Sequence, residues 1–207
     1  MLVEEAIRMR RSVRKFEGKP VSNEAIRKII QAAIYAPSAD NGQTWRFTVL
    51  TGKEKNKITS LIEKLLIKLS EKYGNKSIGS ALSTCNIMKN APVLILVWNK
   101  GSDYSDPDIR ESAEQFMSFF SDPDRVMLMV ELQGVSAAIQ NMLLCAHSLG
   151  LGGLWINDFY YVKDELEDYF SYPWELVAAV SLGFPEKGEL RKSPPKRLSV
   201  DMVTEFR

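Results

Sequence analysis

Residues 122–150 read DPDRVMLMVELQGVSAAIQNMLLCAHSLG, and the rest of the chain has to be arranged around them. Asp122 suits a helix cap, Pro123 the first helical position and Gly150 the stop. Between them Val126, Met127, Leu128, Met129, Leu132, Val135, Ala137, Ala138, Ile139, Met142, Leu143 and Leu144 leave almost no polar face. A helix that is apolar nearly all round is buried nearly all round. A chain of 207 residues struggles to cover such a helix alone, so the pattern predicts a helix shared with a second subunit. Glu131, Gln133, Gln140 and Asn141 interrupt it, which makes it a poor membrane span.

Outward from this helix, residues 151–156 form a glycine-containing strand or turn, and residues 162–170 a short acidic helix. Residues 176–182 and 93–98 are continuous apolar runs, predicted as strands buried on both faces. Trp45, Phe47 and Val49 alternate with Arg46 and Thr48, as in a strand with one buried face. Nearer the start, Leu2, Val3, Ala6 and Ile7 predict a short amphipathic helix. A second helix begins after Pro20, with Ser22 as cap and Val21 and Ile26 as a hydrophobic staple. It carries Ile26, Ile29, Ile30, Ala33 and Ile34 on one face and ends at Pro37. A third helix is marked by Ile58, Leu61, Ile62, Leu65, Leu66 and Leu69. Strands and helices alternate incompletely, which predicts α+β rather than a doubly wound parallel sheet. We expect one domain over residues 1–207. Within it, residues 99–124 are rich in Gly, Ser, Asp and Pro around Phe116, Met117, Phe119 and Phe120, and suggest a lid insertion.

Lys and Arg number 27 against 26 Asp and Glu, so the chain lacks the basic excess of a nucleic-acid binder. With two cysteines, Cys85 and Cys145, and one histidine, His147, a zinc or iron–sulfur site is not expected. The cysteines read as small core residues in a reducing, cytoplasmic protein, and His147 as structural near the negative end of its helix.

The densest set of donors is Arg10, Arg11, Ser12 and Arg14, where the first helix gives way to an extended segment. Forked guanidinium donors match phosphate oxygens, and a hydroxyl adds a neutral donor. On spacing alone, a phosphomonoester site competes with a solvated charge run. Gly152 and Gly153 alone read as a tight turn after a helix. No GxGxxG fingerprint marks a Rossmann site.

The order Arg10-Arg-Ser-Val-Arg-Lys-Phe, then Ala33-Ile-Tyr-Ala-Pro-Ser with Asn41, Gln43 and Trp45 close behind, resembles the start of nitroreductase-family proteins. Three further blocks continue the resemblance in order: Gly134-Val-Ser-Ala-Ala-Ile-Gln-Asn-Met-Leu-Leu-Cys-Ala running into Leu149-Gly-Leu-Gly-Gly-Leu-Trp-Ile, then Val180-Ser-Leu-Gly-Phe-Pro, then Pro194-Pro-Lys-Arg-Leu-Ser. The resemblance implies an α+β fold with a central, mostly antiparallel sheet flanked by helices. It also implies a homodimer with FMN at the subunit interface. It places the phosphate and ribityl end on Arg10, Arg11, Ser12 and Arg14, with Arg197 and Lys196 reaching the same phosphate. Pro37, Ser38, Ala39 and Asn41 would approach the flavin bound mainly by the other subunit, and Gly152 and Gly153 would let backbone near the ring. For flavin N1 and O2 the candidates are Thr84, Asn86 and Lys89. Position 195 is Pro, where some relatives carry a second basic group. The implied activity passes a hydride from NADH or NADPH to flavin N5 and then to a nitroaromatic or quinone, with no catalytic side chain assigned. Relatives with this fold also perform dehalogenation or flavin fragmentation, and a non-catalytic FMN-binding protein is the alternative outside catalysis.

Overall fold

The computed structural model of the chain describes residues 2–191 and 195–207; Pro194 of the closing block lies outside them. Seven helices run in chain order as α1 (Val3–Met9), α2 (Asn23–Ile34), α3 (Gly52–Tyr73), α4 (Ala81–Asn90), α5 (Pro107–Met117), α6 (Pro123–Ser148) and α7 (Lys163–Phe170). The strands are β1 (Trp45–Thr51), β2 (Val93–Asn99), β3 (Gly152–Ile156) and β4 (Glu175–Gly183). They form one sheet in the order β1-β2-β4-β3, antiparallel at every pairing. The α+β expectation holds.

β2 is buried at every position, and its two faces serve two cores. Val93, Ile95 and Val97 point to α2 and α6, where they meet Ile29, Ala33, Val135, Ala138, Ile139 and Met142. Leu94, Leu96 and Trp98 point the other way, to Ile58, Ile62 and Leu66 of α3, Cys85 and Met88 of α4, and Leu166 of α7. The strict two-residue alternation makes this division, and helices on both faces explain why the run is apolar throughout. A register shift against β4 falls at Val97/Trp98.

The caps expected from the sequence form. The Ser22 hydroxyl accepts from the Ala25 N–H at 3.2 Å, and the Asp122 carboxylate from Arg125 N–H at 3.2 Å. α6 presents Val135, Ala138, Ile139, Met142, Leu143 and Ala146 to the core. By length and composition alone it is the one described helix that passes for a membrane span, a test that the core helix of a soluble protein also passes. Here one face of it is core helix, while only 33% of its most apolar 18-residue stretch is buried.

The third helix is longer than its apolar positions suggested, and residues 151–156 resolve into a strand. α4 has no counterpart among the helices expected from sequence. Its Ser, Thr and Asn residues obscure a buried row of Ala81, Cys85 and Met88. Lys55 of α3 explains how α4 ends. Its buried ammonium donates to the carbonyls of Lys89 at 2.5 Å and Ala91 at 2.8 Å, satisfying oxygens that a helix end leaves free.

Candidate functional site

After α1 the chain straightens. Ser12 bridges Gly153 in parallel, and Val13 N–H donates to the Gly153 carbonyl at 3.1 Å. Further on, Glu17 N–H donates to Phe184 O at 2.8 Å and Glu186 N–H to Lys15 O at 3.0 Å. The segment therefore lies along the β3 edge and the chain leaving β4. Alternation follows: Val13 and Phe16 are buried, while Ser12 and Arg14 face outward.

Arg10 and Arg11 stand at the turn out of α1, beside the C-terminal end of α6. Arg11 Nη1 donates to the carbonyls of Arg8 and Arg10, at 2.7 and 2.9 Å. Burial first, then Arg197 and Arg11, hold the Arg10 guanidinium below its ordinary value. For His147, burial first and then Arg10 and Arg11 hold the imidazole down, against Glu5. Arg10, Arg11 and Arg197 thus form one electropositive group built from the turn after α1 and the tail, and the His147 imidazole of α6 stands against it with its charged form disfavoured. Arg10 Nε, Arg11 Nε and His147 Nε2 are all buried without a hydrogen-bond partner. The buried Glu189 carboxylate accepts from the Arg14 backbone N–H at 3.2 Å. Unpaired buried donors and crowded like charges both cost free energy, which an anion with several oxygens would recover. The residues present therefore fit a phosphomonoester. Lys196 is exposed beside Arg197.

The glycine pair has a nearer reason than ligand approach. A Cβ on Gly152 would sit 2.4 Å from Val13 Cγ2, and one on Gly153 would sit 2.6 Å from Leu143 Cδ2. Both positions face protein, so close packing of the Val13 segment and α6 on β3 demands glycine there. The sequence reading as a plain turn also fails, since both residues are in a strand.

Pro37, Ser38, Ala39 and Asn41 lie at a different place. Their loop rests on α6 at Gly134, whose absent Cβ would meet Ser38 Cβ at 3.2 Å and Pro37 O at 3.3 Å. Ser38 Oγ accepts from Gln43 N–H at 3.1 Å. Asp40, Asn41 and Gln43 all have left-handed backbone, with φ of 48°, 53° and 45°; Asn and Asp tolerate this better than most residues, and such strain concentrates at functional loops. Along α6, Gly134 and His147 are about 20 Å apart at a helical rise of roughly 1.5 Å per residue. One chain thus holds the arginine group at the C-terminal end of α6 and the 37–41 loop near its middle.

Thr84, Asn86 and Lys89 sit on α4. Thr84 Oγ1 donates to Asp158 at 2.5 Å, and Lys89 Nζ to the Glu63 carboxylate at 2.8 Å. Both are committed within the protein. Asn86 is exposed, next to Ile87, which packs on Val13, Phe16 and Ala91. Tyr160 and Tyr161 are half exposed, and the Tyr160 hydroxyl donates to Val177 O at 3.1 Å. Cys85 is buried, its thiol pushed up to about 11 by burial first and Glu63 second, with Lys89 opposing. Cys145 is only partly buried, with Sγ 3.6 Å from Lys28 O.

Residues 101–121 contain α5, which buries no side chain. With the 38–44 loop and the N-terminal half of α6, they enclose a cavity of about 740 Å³. Ser38, Ala39, Tyr104, Phe116, Met127 and Glu131 are among its walls. Sequence reasoning passed over His147 as a neighbour of the arginine group because a lone histidine late in an apolar helix carries no spacing signal. It passed over Tyr104 and Glu131 because the cavity joins segments distant in sequence.

The family model described as the nitroreductase family matches residues 7–184. A protein of Methanothermobacter thermautotrophicus named "Putative NADH dehydrogenase/NAD(P)H nitroreductase" is 33% identical over 190 residues, covering 89% of this chain and 78% of that one. Among solved structures, a BluB-like flavoprotein from Clostridium difficile 630 matches at 27% identity with a TM-score of 0.75, covering 100% of this chain and 99% of that one. A protein from Desulfovibrio desulfuricans solved in complex with FMN matches at 26% identity with a TM-score of 0.69, covering 100% and 97%. With a family match across most of its length and the same fold in its solved relatives, this chain belongs to the nitroreductase family.

Proposed function

We propose that the chain is an FMN-dependent oxidoreductase that passes reducing equivalents from NADH or NADPH to a small acceptor such as a nitroaromatic or a quinone. The observation that carries this reading is the arginine group: Arg10 Nε, Arg11 Nε and His147 Nε2 are buried without a hydrogen-bond partner, and Arg10 is crowded by Arg197 and Arg11. Arg10, Arg11, Ser12 and Arg14 would hold the phosphate and ribityl end, joined by Lys196 and Arg197 from the tail. Bound FMN would supply the two-electron chemistry, through N5. The protein's part is to bind, orient and shield. Val13, packed where Gly152 lacks a side chain, sets where Ser12 and Arg14 project. Asn86 is the one α4 candidate whose side chain is not already engaged, and it would serve the pyrimidine end.

The reading includes a homodimer. The 37–41 loop stands about 20 Å along α6 from the arginine group, by helical rise, so it serves a second flavin site, mainly the partner's. A large apolar surface favours this assembly. Leu2, Ile7, Ile34, Met129 and Leu149 are exposed, Tyr35 is 77% exposed, and the tail offers Leu198, Met202 and Phe206. Monomers rarely leave so much apolar surface uncovered. Two free thiols, Cys85 and Cys145, favour the cytoplasm. We assign residues 99–124, within one domain, as a lid over the open side of the flavin.

The test is NADH and NADPH oxidation by the flavin-loaded protein with menadione or nitrofurazone. Acceptor-dependent turnover is expected. A flavin-loaded protein that oxidises neither nucleotide with either acceptor would be a binding protein instead.

A further inference from the structure

The cavity beneath α5 has a charge pattern that the arginine group does not share. Four carboxylates line it: Asp40 from the 38–44 loop, Asp103 and Asp108 around the start of α5, and Glu131 from α6. No lysine, arginine or histidine does. Its remaining surface is largely apolar, with Ile109, Phe116, Met127 and Val130 among the walls. We propose that this cavity selects neutral or cationic planar acceptors and rejects those bearing a carboxylate or another anionic group. The proposal rests on the oxidoreductase reading above and names the substrate class for that same site.

Three observations carry it. First, two of the carboxylates are engaged by their neighbours. Glu131 accepts from Ser102 N–H and Ser102 Oγ at 2.7 Å and from Asn99 Nδ2 at 2.7 Å, which leaves it little freedom to swing away. Bonds from Ser105 first, and Lys100 last, hold Asp103 below the usual carboxylate range, against burial. Lys100 does not itself line the cavity, and Arg110 is turned to the Tyr104 carbonyl, at 3.0 Å. Second, the acids are dispersed around the wall. Among the described residues no group of three could hold a metal, so their effect is a negative field across the cavity. Third, the Tyr104 hydroxyl is buried at the wall without a partner. It offers one donor to a nitro or carbonyl oxygen, while the apolar walls accept a flat ring. A cavity of about 740 Å³ holds a substituted monocyclic aromatic with room for its substituent. An anionic substituent would enter a cavity whose charged wall groups are all of its own sign, and would be repelled.

The experiment compares acceptors matched in ring and nitro group. Steady-state kcat/KM is measured with the flavin-loaded dimer for methyl 4-nitrobenzoate, 4-nitrobenzoate and 4-nitrobenzyltrimethylammonium, in wild type and in Asp40→Asn/Asp108→Asn. Binding of benzamide and benzoate to the oxidised enzyme, read from the flavin absorbance, gives a measure independent of turnover. The expected result is an ester-to-acid preference of at least about tenfold that shrinks with added salt and narrows several-fold in the variant. Benzamide should likewise bind more tightly than benzoate. Equal use of ester and acid by wild type overturns the selectivity and leaves the oxidoreductase reading standing. A preference that the variant leaves intact overturns its assignment to these carboxylates. Reduction of none of the three, with flavin bound, overturns the reading beneath it.

Discussion

At the residue scale, the site is made by side chains whose company in space is not their company in sequence. Arg10, Arg11 and Arg14 were legible as candidate phosphate donors because guanidinium groups crowd a helix end. His147 was not, since its place beside them depends on α6 ending beside α1. Gly152 and Gly153 were legible as special, but one reason for glycine there was not: Val13 and Leu143 occupy the space of their missing side chains. This gives a stability prediction. Alanine at position 152 should gain about 0.4–1 kcal/mol by restricting the unfolded chain. It would also press on a fully buried valine, whose branched Cβ cannot rotate away, at a cost of about 1–3 kcal/mol. Overpacking should win, so urea unfolding of flavin-free Gly152→Ala should show a lower midpoint than wild type; an equal or higher one would mean that Val13 moves freely. Arg10→Ala removes a charged donor from the proposed phosphate. FMN affinity, measured by fluorescence titration, should fall by about 1.5–3 kcal/mol. Unchanged affinity would remove Arg10 from the site.

At the scale of elements, the period of the apolar pattern decided what could be read. β2 and β4 were plain because both faces are covered, and α2 and α6 because caps mark their starts. α4 was missed: ten residues with three buried positions give too short a pattern against their polar neighbours. α5 poses the functional question. Phe116, Phe119 and Phe120 follow helical spacing, which alone would place them in a core. In the chain they are exposed, Phe119 by 75%, and Phe116 meets Phe120 edge-on at 5.0 Å. Apolar rings held at the surface around a cavity suit a lid that excludes water when it closes. Phe119→Ala and Phe120→Ala, made separately, should therefore keep FMN content and the dimer while altering the ratio of quinone to nitroaromatic rates. Loss of flavin and stability together, at an unchanged ratio, would make the segment structural.

At the scale of the whole molecule, two stretches of α6 divide the labour. Its C-terminal end lies by the arginines, its N-terminal half carries the strained loop and an acidic cavity, and exposed apolar side chains occur on α1, α6 and the tail. The sequence announced the helix and its surplus of apolar residues, but not which face would stay open, because that depends on how α2 and the sheet take up the other. The central claim is that the arginine group, with its buried unpaired Nε atoms, exists to hold FMN in a dimer. The most direct measurement is the mass of the cofactor released on denaturing the purified protein, with its stoichiometry per chain and the mass of the native assembly. The account predicts FMN, about one per chain, in a homodimer that keeps its flavin on dilution. A colourless protein that takes up no FMN when it is supplied, or a folded monomer that carries FMN or mainly FAD, would contradict it.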